Sequence, residues 1–254
     1  MLPEQRRRKI LELIQEEGSV KVATLKDLFS VTEPTIRQDL DKLEEEGHVV
    51  RQHGGAFLKT IPNQVSSMTL QHSQNMDKKS LLGAKAVEFI EDGDSIILDA
   101  GTTITEIANH LDKVNNLNVV TTALNIALIM GSRFNAHVVL TGGEFKPPTL
   151  SVTGEQAAKF FDNTIMVGKL FLAATGLSDE GFITYPGLAD IPVKKAMIGA
   201  AKEVYLVADS TKMGKIAFAT LGSIDMVDHL IADSGIPQKY IDMFESRGVD
   251  VIIA

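Results

Sequence analysis

The sequence predicts a two-part α/β chain, a small helical unit closed by a β-hairpin and then a larger, doubly wound, mostly parallel sheet. Three observations carry this. Up to about residue 58, apolar residues recur at helical spacing and then give way to two short apolar runs around a glycine pair. Residues 59–76 are polar and aperiodic, with Pro62, Asn63, Gln64, Ser66, Ser67 and Gln71. From residue 77 onward, strand-length apolar runs alternate with helical patterns, as in a parallel sheet covered by helices. The expected organisation is therefore domain 1–58, linker 59–76 and domain 77–254.

In the first domain, residues 4–17 carry Ile10, Leu11, Leu13 and Ile14 and stop at Gly18. A shorter pattern of Val22, Leu25, Leu28 and Phe29 ends at Ser30 and Val31. The third helix, 32–46, has Thr32 as N-cap, Pro34 in the first turn and Gly47 as its stop. Its apolar face is Ile36, Leu40 and Leu43, which leaves Thr35, Arg37, Gln38 and Lys42 pointing elsewhere. Two runs, 49–51 and 56–58, flank Gln52-His53-Gly54-Gly55 and read as a two-stranded hairpin. Three helices followed by a hairpin make a winged helix-turn-helix, whose last helix enters the major groove of DNA.

On that helix Arg37 and Gln38 suit guanine and adenine edges. Exposed polar residues on a lone helix are equally a solvated face, and it is the surrounding elements that favour DNA. Thr32, Thr35, Lys42, Arg51 and His53 complete the expected DNA contacts, with Lys42 and Arg51 assigned to phosphates.

The 254-residue chain is 44% apolar, enough for real cores, yet its net charge of −8 looks wrong for a DNA binder. The acidity is unevenly placed. Residues 1–60 hold 10 Lys and Arg against 11 Asp and Glu, leaving 15 against 22 for the remainder. Arg6 to Lys9 with Arg37, Lys42 and Arg51 are expected to form a local basic face. No apolar stretch approaches a membrane span, so a cytoplasmic protein with no membrane partner is expected. Cysteine is absent and the six histidines show no ligand spacing, so neither metal nor cofactor is expected.

The second domain opens with a helix over 78–90. Expected strands are 95–98, 118–120, 137–140, 170–174, 204–208, 230–232 and 249–253, with helices at 103–111, 124–130, 154–161, 192–201 and 238–246. Ligands of such sheets bind beyond the carboxyl ends of the strands. Here those positions are polar: Asp99-Ala100-Gly101-Thr102-Thr103, Thr121-Thr122, Thr141-Gly142-Gly143-Glu144, Thr175-Gly176 and Asp209-Ser210-Thr211-Lys212. Gly101-Thr102-Thr103 opens a helix directly after a strand and so offers backbone N–H groups, hydroxyls and a positive dipole end to an anion, preferably phosphate. The same triplet is also what a plain helix cap looks like. Lys212, at another strand end, would neutralise the anion.

The chain resembles the DeoR-type bacterial transcriptional repressors. The resemblance rests on Arg6, Ile10, Ile14 and Thr32, on Thr35-Ile36-Arg37-Gln38-Asp39-Leu40, and on Arg51 with His53-Gly54-Gly55-Ala56. It continues through 97–103, 140–144, Asp190 with Val193-Lys194, and 208–212. It implies a sensor domain similar to the sugar-phosphate isomerase and CoA-transferase-like fold. It also implies a phosphorylated sugar held by the strand ends, with Asp99, Gly101, Thr102, Thr103, Thr121, Thr122, Gly142, Gly143, Glu144, Thr175, Gly176, Lys194, Asp209 and Lys212 as effector residues. Two departures stand out: Thr121-Thr122 where relatives usually read Thr-Asn, and Thr175 where many have Asp.

The expected function is a DNA-binding repressor of a carbohydrate-metabolism operon, responsive to a sugar phosphate. It would bind double-stranded operator DNA as a homodimer or higher homo-oligomer, since one recognition helix reads few base pairs. The competing reading is a sugar-phosphate isomerase-like enzyme fused to a DNA-binding domain. That needs a positioned carboxylate base, and no close carboxylate pair stands out in the crevice loops. An architectural DNA-binding protein would leave the polar strand ends without a role.

Overall fold

The computed structural model describes residues 2–17, 19–52, 54–58, 75–133, 136–162 and 165–254. His53 and the expected linker as far as residue 74 lie outside these residues. No described helix is long and apolar enough to cross a membrane.

The N-terminal elements are α1 (Pro3–Glu17), β1 (Ser19–Lys21), α2 (Val22–Phe29), α3 (Glu33–Glu45), β2 (Val49–Gln52) and β3 (Gly55–Leu58). Ile10, Leu13, Ile14, Leu25, Ile36, Leu40 and Leu43 are all buried, as their helical spacing requires. Gly47 ends α3 with φ +81°, and the bonds from Gly47 N to Glu44 O and from His48 N to Leu43 O, both 2.9 Å, complete a Schellman cap. Thr32 holds the N-cap position, but its hydroxyl makes no capping bond and lies 2.9 Å from that of Thr35.

Two expectations are corrected here. The hairpin is three-stranded, because β1 pairs antiparallel with β3 and sets Val20 opposite Ala56. A three-residue strand starting just after Gly18 is too short to leave a period-2 signal. Gly55 is a strand residue where the two backbones cross, since a Cβ on it would collide with the Val20 carbonyl. Arg6 also leaves the basic face. It is buried, with Nε 2.5 Å from Asp39 Oδ2 and a second nitrogen 3.3 Å from Oδ1, and it ties α1 to the inner side of α3.

From α4 (Met76–Val87) the chain builds the larger unit. Its seven described sheet strands are β4 (Ser95–Leu98), β5 (Leu117–Thr121), β6 (Ala136–Leu140), β9 (Val167–Ala173), β12 (Ala201–Val207), β14 (His229–Ala232) and β15 (Asp250–Ile253). They run in the order β15-β14-β12-β9-β4-β5-β6, every pair parallel. Alternate strand residues enter opposite cores. Ile97, Leu170, Leu172 and Leu206 pack on one face with Val193 and Met197 of α8 (Asp190–Gly199) and Phe244 of α9 (Gln238–Ser246). Ile96, Leu98, Phe171 and Val207 pack on the other with Leu82 of α4, Ile104 and Ile107 of α5 (Thr102–His110), and Ile126 of α6 (Leu124–Gly131). The doubly wound expectation therefore holds.

What the sequence did not mark is the antiparallel part. β10 (Gly176–Leu177), β11 (Phe182–Tyr185) and β13 (Ala219–Ser223) form a separate three-stranded sheet, and β7 (Glu144–Lys146) pairs with β8 (Ser151–Thr153). These strands are two to five residues long, so no run of alternation accumulates. The expected helix at 154–161 shortens to α7 (Glu155–Lys159).

Candidate functional site

On α3, Arg37, Gln38 and Lys42 are exposed and Thr35 is half-buried. Arg37 lies 3.6 Å from Glu33 and Lys42 lies 3.0 Å from Glu45, both pairs exposed and so cheap to exchange for other partners. Arg51, on the wing, is paired with Asp41 of α3, and its N–H donates to Glu44 Oε1 at 2.8 Å. The wing is thus fastened to the second half of α3, where Asp41, Glu44 and Glu45 crowd the exposed side. That leaves the first two turns of the helix as the face free of this acidic cluster. Among the expected basic residues Arg8 is exposed, while Arg7 leans to within 3.7 Å of Asp39.

The strand ends of the larger unit sort into two groups. Several expected ligand residues are engaged with the protein itself. Asp99 is buried, and both of its oxygens bind Lys194 Nζ, at 2.8 and 2.6 Å. Asp99 Oδ2 also accepts the Ala173 N–H at 3.1 Å. Lys194 Nζ sits 4.4 Å over the ring of Tyr185, whose hydroxyl donates to the Ala173 carbonyl. Burial, with the nearby negative charge of Asp99, raises the Tyr185 hydroxyl well above an ordinary tyrosine, so it stays a neutral donor. Thr121 donates to Leu98 O at 2.7 Å and accepts from Ala123 N at 3.0 Å, which pins the end of β5 to β4. Gly176 passes so close to Lys215 that an added Cβ would stand 2.5 Å from its carbonyl oxygen, and Gly143 likewise presses on Thr153 O at 2.7 Å.

The second group mixes exposed and buried positions. Gly101 is the N-cap of α5, Thr102 begins the helix half-buried, and Thr103 is buried behind it. A Cβ on Gly101 would stand 3.0 Å from that of Ala173. Gly142 and Glu144 are exposed and Thr175 is half-buried, whereas Thr122 is buried. Past β12, Asp209 is buried and Lys212 half-buried, and no carboxylate of the described residues lies within ion-pair distance of Lys212. β12 stands two strands from β4, so at a strand spacing of about 4.8 Å the carboxyl ends of these two strands are about 10 Å apart.

The sequence profile of the DeoR-like helix-turn-helix domain matches residues 6–61, and that of the DeoR C-terminal sensor domain matches residues 74–234. The chain belongs to the DeoR family. The HTH-type transcriptional regulator YulB of Bacillus subtilis is 34% identical over 99% of this chain and 96% of its own length. The HTH-type transcriptional repressor GlcR of the same organism is 30% identical over 100% of this chain and 97% of its own. Among solved structures, ribose 5-phosphate isomerase A from Neisseria gonorrhoeae shares 17% identity over 53% of this chain and 52% of its own, with a TM-score of 0.38. This DeoR-family chain is thus a DNA-binding transcription regulator built on a helix-turn-helix unit and a mostly parallel α/β sensor unit.

Beside the strand ends lie polar groups outside the expected site, Asn125 and Lys79, and one, Thr141, that belongs to a polar strand-end run without being assigned to the ligand. Asn125 Nδ2 donates to Thr105 Oγ1 at 2.8 Å, while Asn125 Oδ1 and Thr141 Oγ1 are buried without hydrogen-bond partners among the described residues. Lys79 of α4 is buried beside Glu106, Asp209 and Lys212. Burial, and after it the Lys212 ammonium, pull its pKa below that of an ordinary lysine, against the opposite pull of the two carboxylates. Lys79 carried only a helix-start signal in the sequence, because its neighbours in space lie far along the chain.

Proposed function

We propose that this regulator represses a carbohydrate-metabolism operon and that a phosphorylated sugar, bound across the carboxyl ends of β4, β9 and β12, sets its affinity for operator DNA. The observation that carries this reading is Lys212, a half-buried cation without an ion-pair partner among the described residues, on the loop after β12, two strands from the strand that leads into α5. The N–H groups at Gly101, Thr102 and Thr103 hold the phosphate, and the lysine stem spans the gap to neutralise it. Gly142, Glu144, Thr122 and Thr175 border the crevice for the sugar. Asp99, Lys194, Thr121, Gly143 and Gly176 shape it from behind.

An isomerase in the same crevice would need a positioned carboxylate base; Asp99 is locked to Lys194, which leaves exposed Glu144 and the Oδ2 of Asp209 as the carboxylates whose catalysis a turnover assay with hexose and pentose phosphates tests. The named function of relatives such as GlcR supports repression. Domain limits of 1–58 and 77–254 joined by 59–76, a homodimer or higher homo-oligomer, and a cytoplasmic location belong to the same reading. Exposed Leu124 and Leu128 on α6, with Leu140 on the edge strand β6, supply apolar surface for self-association.

A thermal screen of hexose and pentose phosphates tests the effector. A phosphosugar at a hundredfold its Kd adds about 2.7 kcal/mol of stability. Lys212→Ala is expected to lose that shift and the effector response while binding ligand-free operator as the wild type does. A Lys212→Ala protein that responds at the wild-type ligand concentration places the anion elsewhere.

For DNA, Arg37 and Gln38 read bases from the first turns of α3, with Thr32 and Thr35 at the helix start and Lys42, Arg51 and His53 on phosphates. Arg37→Ala is expected to cost about 1–3 kcal/mol on the operator and to flatten discrimination at one position per half-site. Lys42→Ala or Arg51→Ala should weaken binding to every sequence and reduce the salt slope by about one unit per contact. Equal loss of specific and non-specific affinity in Arg37→Ala would remove it from base reading.

A further inference from the structure

α4 is the first described element of the sensor unit, and its first turn is fastened to the loop that follows β12. Lys78 Nζ donates to Ser210 Oγ at 2.6 Å and pairs with Asp233 Oδ2 at 2.9 Å. Asp233, buried at the end of β14, also accepts from the Ser210 N–H at 2.6 Å, the Ser210 hydroxyl at 2.9 Å and the Gly235 N–H at 3.1 Å. Burial by itself would raise this carboxyl. The bonds from Lys78, Ser210 and Gly235 outweigh it and hold the pKa below the ordinary aspartate range, so the Asp233 carboxylate stays charged near neutral pH. Asn75 Nδ2, one residue before the helix, reaches Thr211 Oγ1 at 3.5 Å.

The same loop carries the effector side of the crevice. Asp209 Oδ1 accepts the Thr211 N–H at 2.9 Å and the Thr211 hydroxyl, whereas Asp209 Oδ2 is buried and has no hydrogen-bond partner among the described residues. A sugar hydroxyl donating to that oxygen would remove the penalty of a buried unpaired acceptor. The ligand would then bear on residues 209–212, the segment that Lys78 grips from outside the crevice. Lower down, α4 is packed against α5 as closely as a glycine allows, since a Cβ on Gly83 would meet the Glu106 backbone at 2.7 Å. Its first turn is the part tied to the loop.

We propose that Lys78 is a positioning residue that couples the effector crevice to the DNA-binding unit. Through Ser210 and Asp233 it makes the first turn of α4, the next described element after the DNA-binding unit in sequence, follow loop 209–212. The inference rests on the reading of the crevice as a phosphosugar site. Coupling of this kind needs a ligand that binds two arrangements of one element unequally, and the element assigned to it is loop 209–212, with an unpaired buried acceptor at one end and a salt-bridged clamp at the other.

The test compares full-length wild type, Lys78→Met and Lys78→Arg, with ribose 5-phosphate, fructose 6-phosphate and glucose 6-phosphate as probes. The DNA is a duplex selected from a random-sequence pool by ligand-free protein. Calorimetry gives the probe Kd, and duplex affinity is measured with and without saturating probe. In wild type the probe should change duplex affinity by about 5- to 150-fold. Lys78→Met should bind the probe within about threefold of wild type yet show a duplex ratio within about twofold of one, and Lys78→Arg, which can still pair with Asp233, should regain most of the ratio. A Lys78→Met protein with the wild-type ratio overturns the proposal. So does one that loses probe binding and response together, which would put Lys78 in the ligand site or the fold. Failure of every probe to bind wild type refutes the effector reading itself, and that outcome is seen without any variant.

Discussion

Lys194→Met is expected to lower the stability of the sensor unit by about 3–5 kcal/mol, because it leaves Asp99 as a buried carboxylate without its cation. Both oxygens of Asp99 are bound by Lys194 Nζ, and the remaining bond, from the Ala173 N–H at 3.1 Å, offsets only part of the desolvation of the charge. The loss is a large share of the about 5–15 kcal/mol that holds a typical domain folded. Pairing Lys194→Met with Asp99→Asn should recover much of it, since a neutral pair in the same space no longer buries an unpaired charge. Urea unfolding followed by tyrosine fluorescence reads this unit alone, because Tyr185, Tyr205 and Tyr240 are the chain's 3 tyrosines. A single variant as stable as wild type would mean that the pair is not sealed from water. The result also governs how effector experiments are read, since loss of response in Lys194→Met would follow from a weakened sensor and says nothing about contact with a sugar.

The two groups of crevice residues show what the sequence could reveal. Strand 95–98 and helix 238–246 are found with the bounds expected for them, and the remaining sheet strands are found within a few residues of theirs. Buried strands with both faces covered read as unbroken apolar runs, and that pattern is local. β9 and β12 begin earlier than their apolar runs because Gly168-Lys169 and Lys202-Glu203 extend them below the core, where Lys169 reaches Asp94 at 2.7 Å. A hydropathy run cannot register such polar strand starts.

Which polar residues face outward was less legible. Asp99 and Lys194 are separated by 95 positions, so no spacing rule announces that each satisfies the other. The placement rule for α/β sheets puts Asp99 at a strand end and the family resemblance adds Lys194, and neither distinguishes a group that reaches a ligand from one that holds the wall. Thr121 and Gly176 were candidates on the same rule, and tertiary contact turned them inward. Lys78 and Lys79 read as an ordinary helix start because Asp233 and Asp209 follow strands far along the chain.

The same limit applies to Arg6, and it sets the second large effect. Arg6→Met is expected to destabilise the N-terminal unit by about 3–5 kcal/mol, because Asp39 would be left buried on the inner side of α3 with only Arg7 at 3.7 Å to attend it. A unit of this size has a small core and few kcal/mol in reserve, so at 25 °C it should be largely unfolded while the sensor unit stays intact. Far-UV circular dichroism should show helix lost at low urea, and tyrosine fluorescence should keep its wild-type midpoint. DNA binding should disappear for specific and non-specific sequences alike. Arg37→Ala makes the contrast: it lies on the exposed face of the same helix, 49% accessible at its side chain, and should lose about 1–3 kcal/mol of operator affinity with an unchanged unfolding midpoint. Replacing both members of the buried pair, Arg6→Met with Asp39→Leu, should restore folding and most DNA binding, as apolar substitutes for buried ion pairs often do. If Arg6→Met folds normally and loses only DNA affinity, then Arg6 belongs to the basic face after all and Asp39 is held by something other than this ion pair.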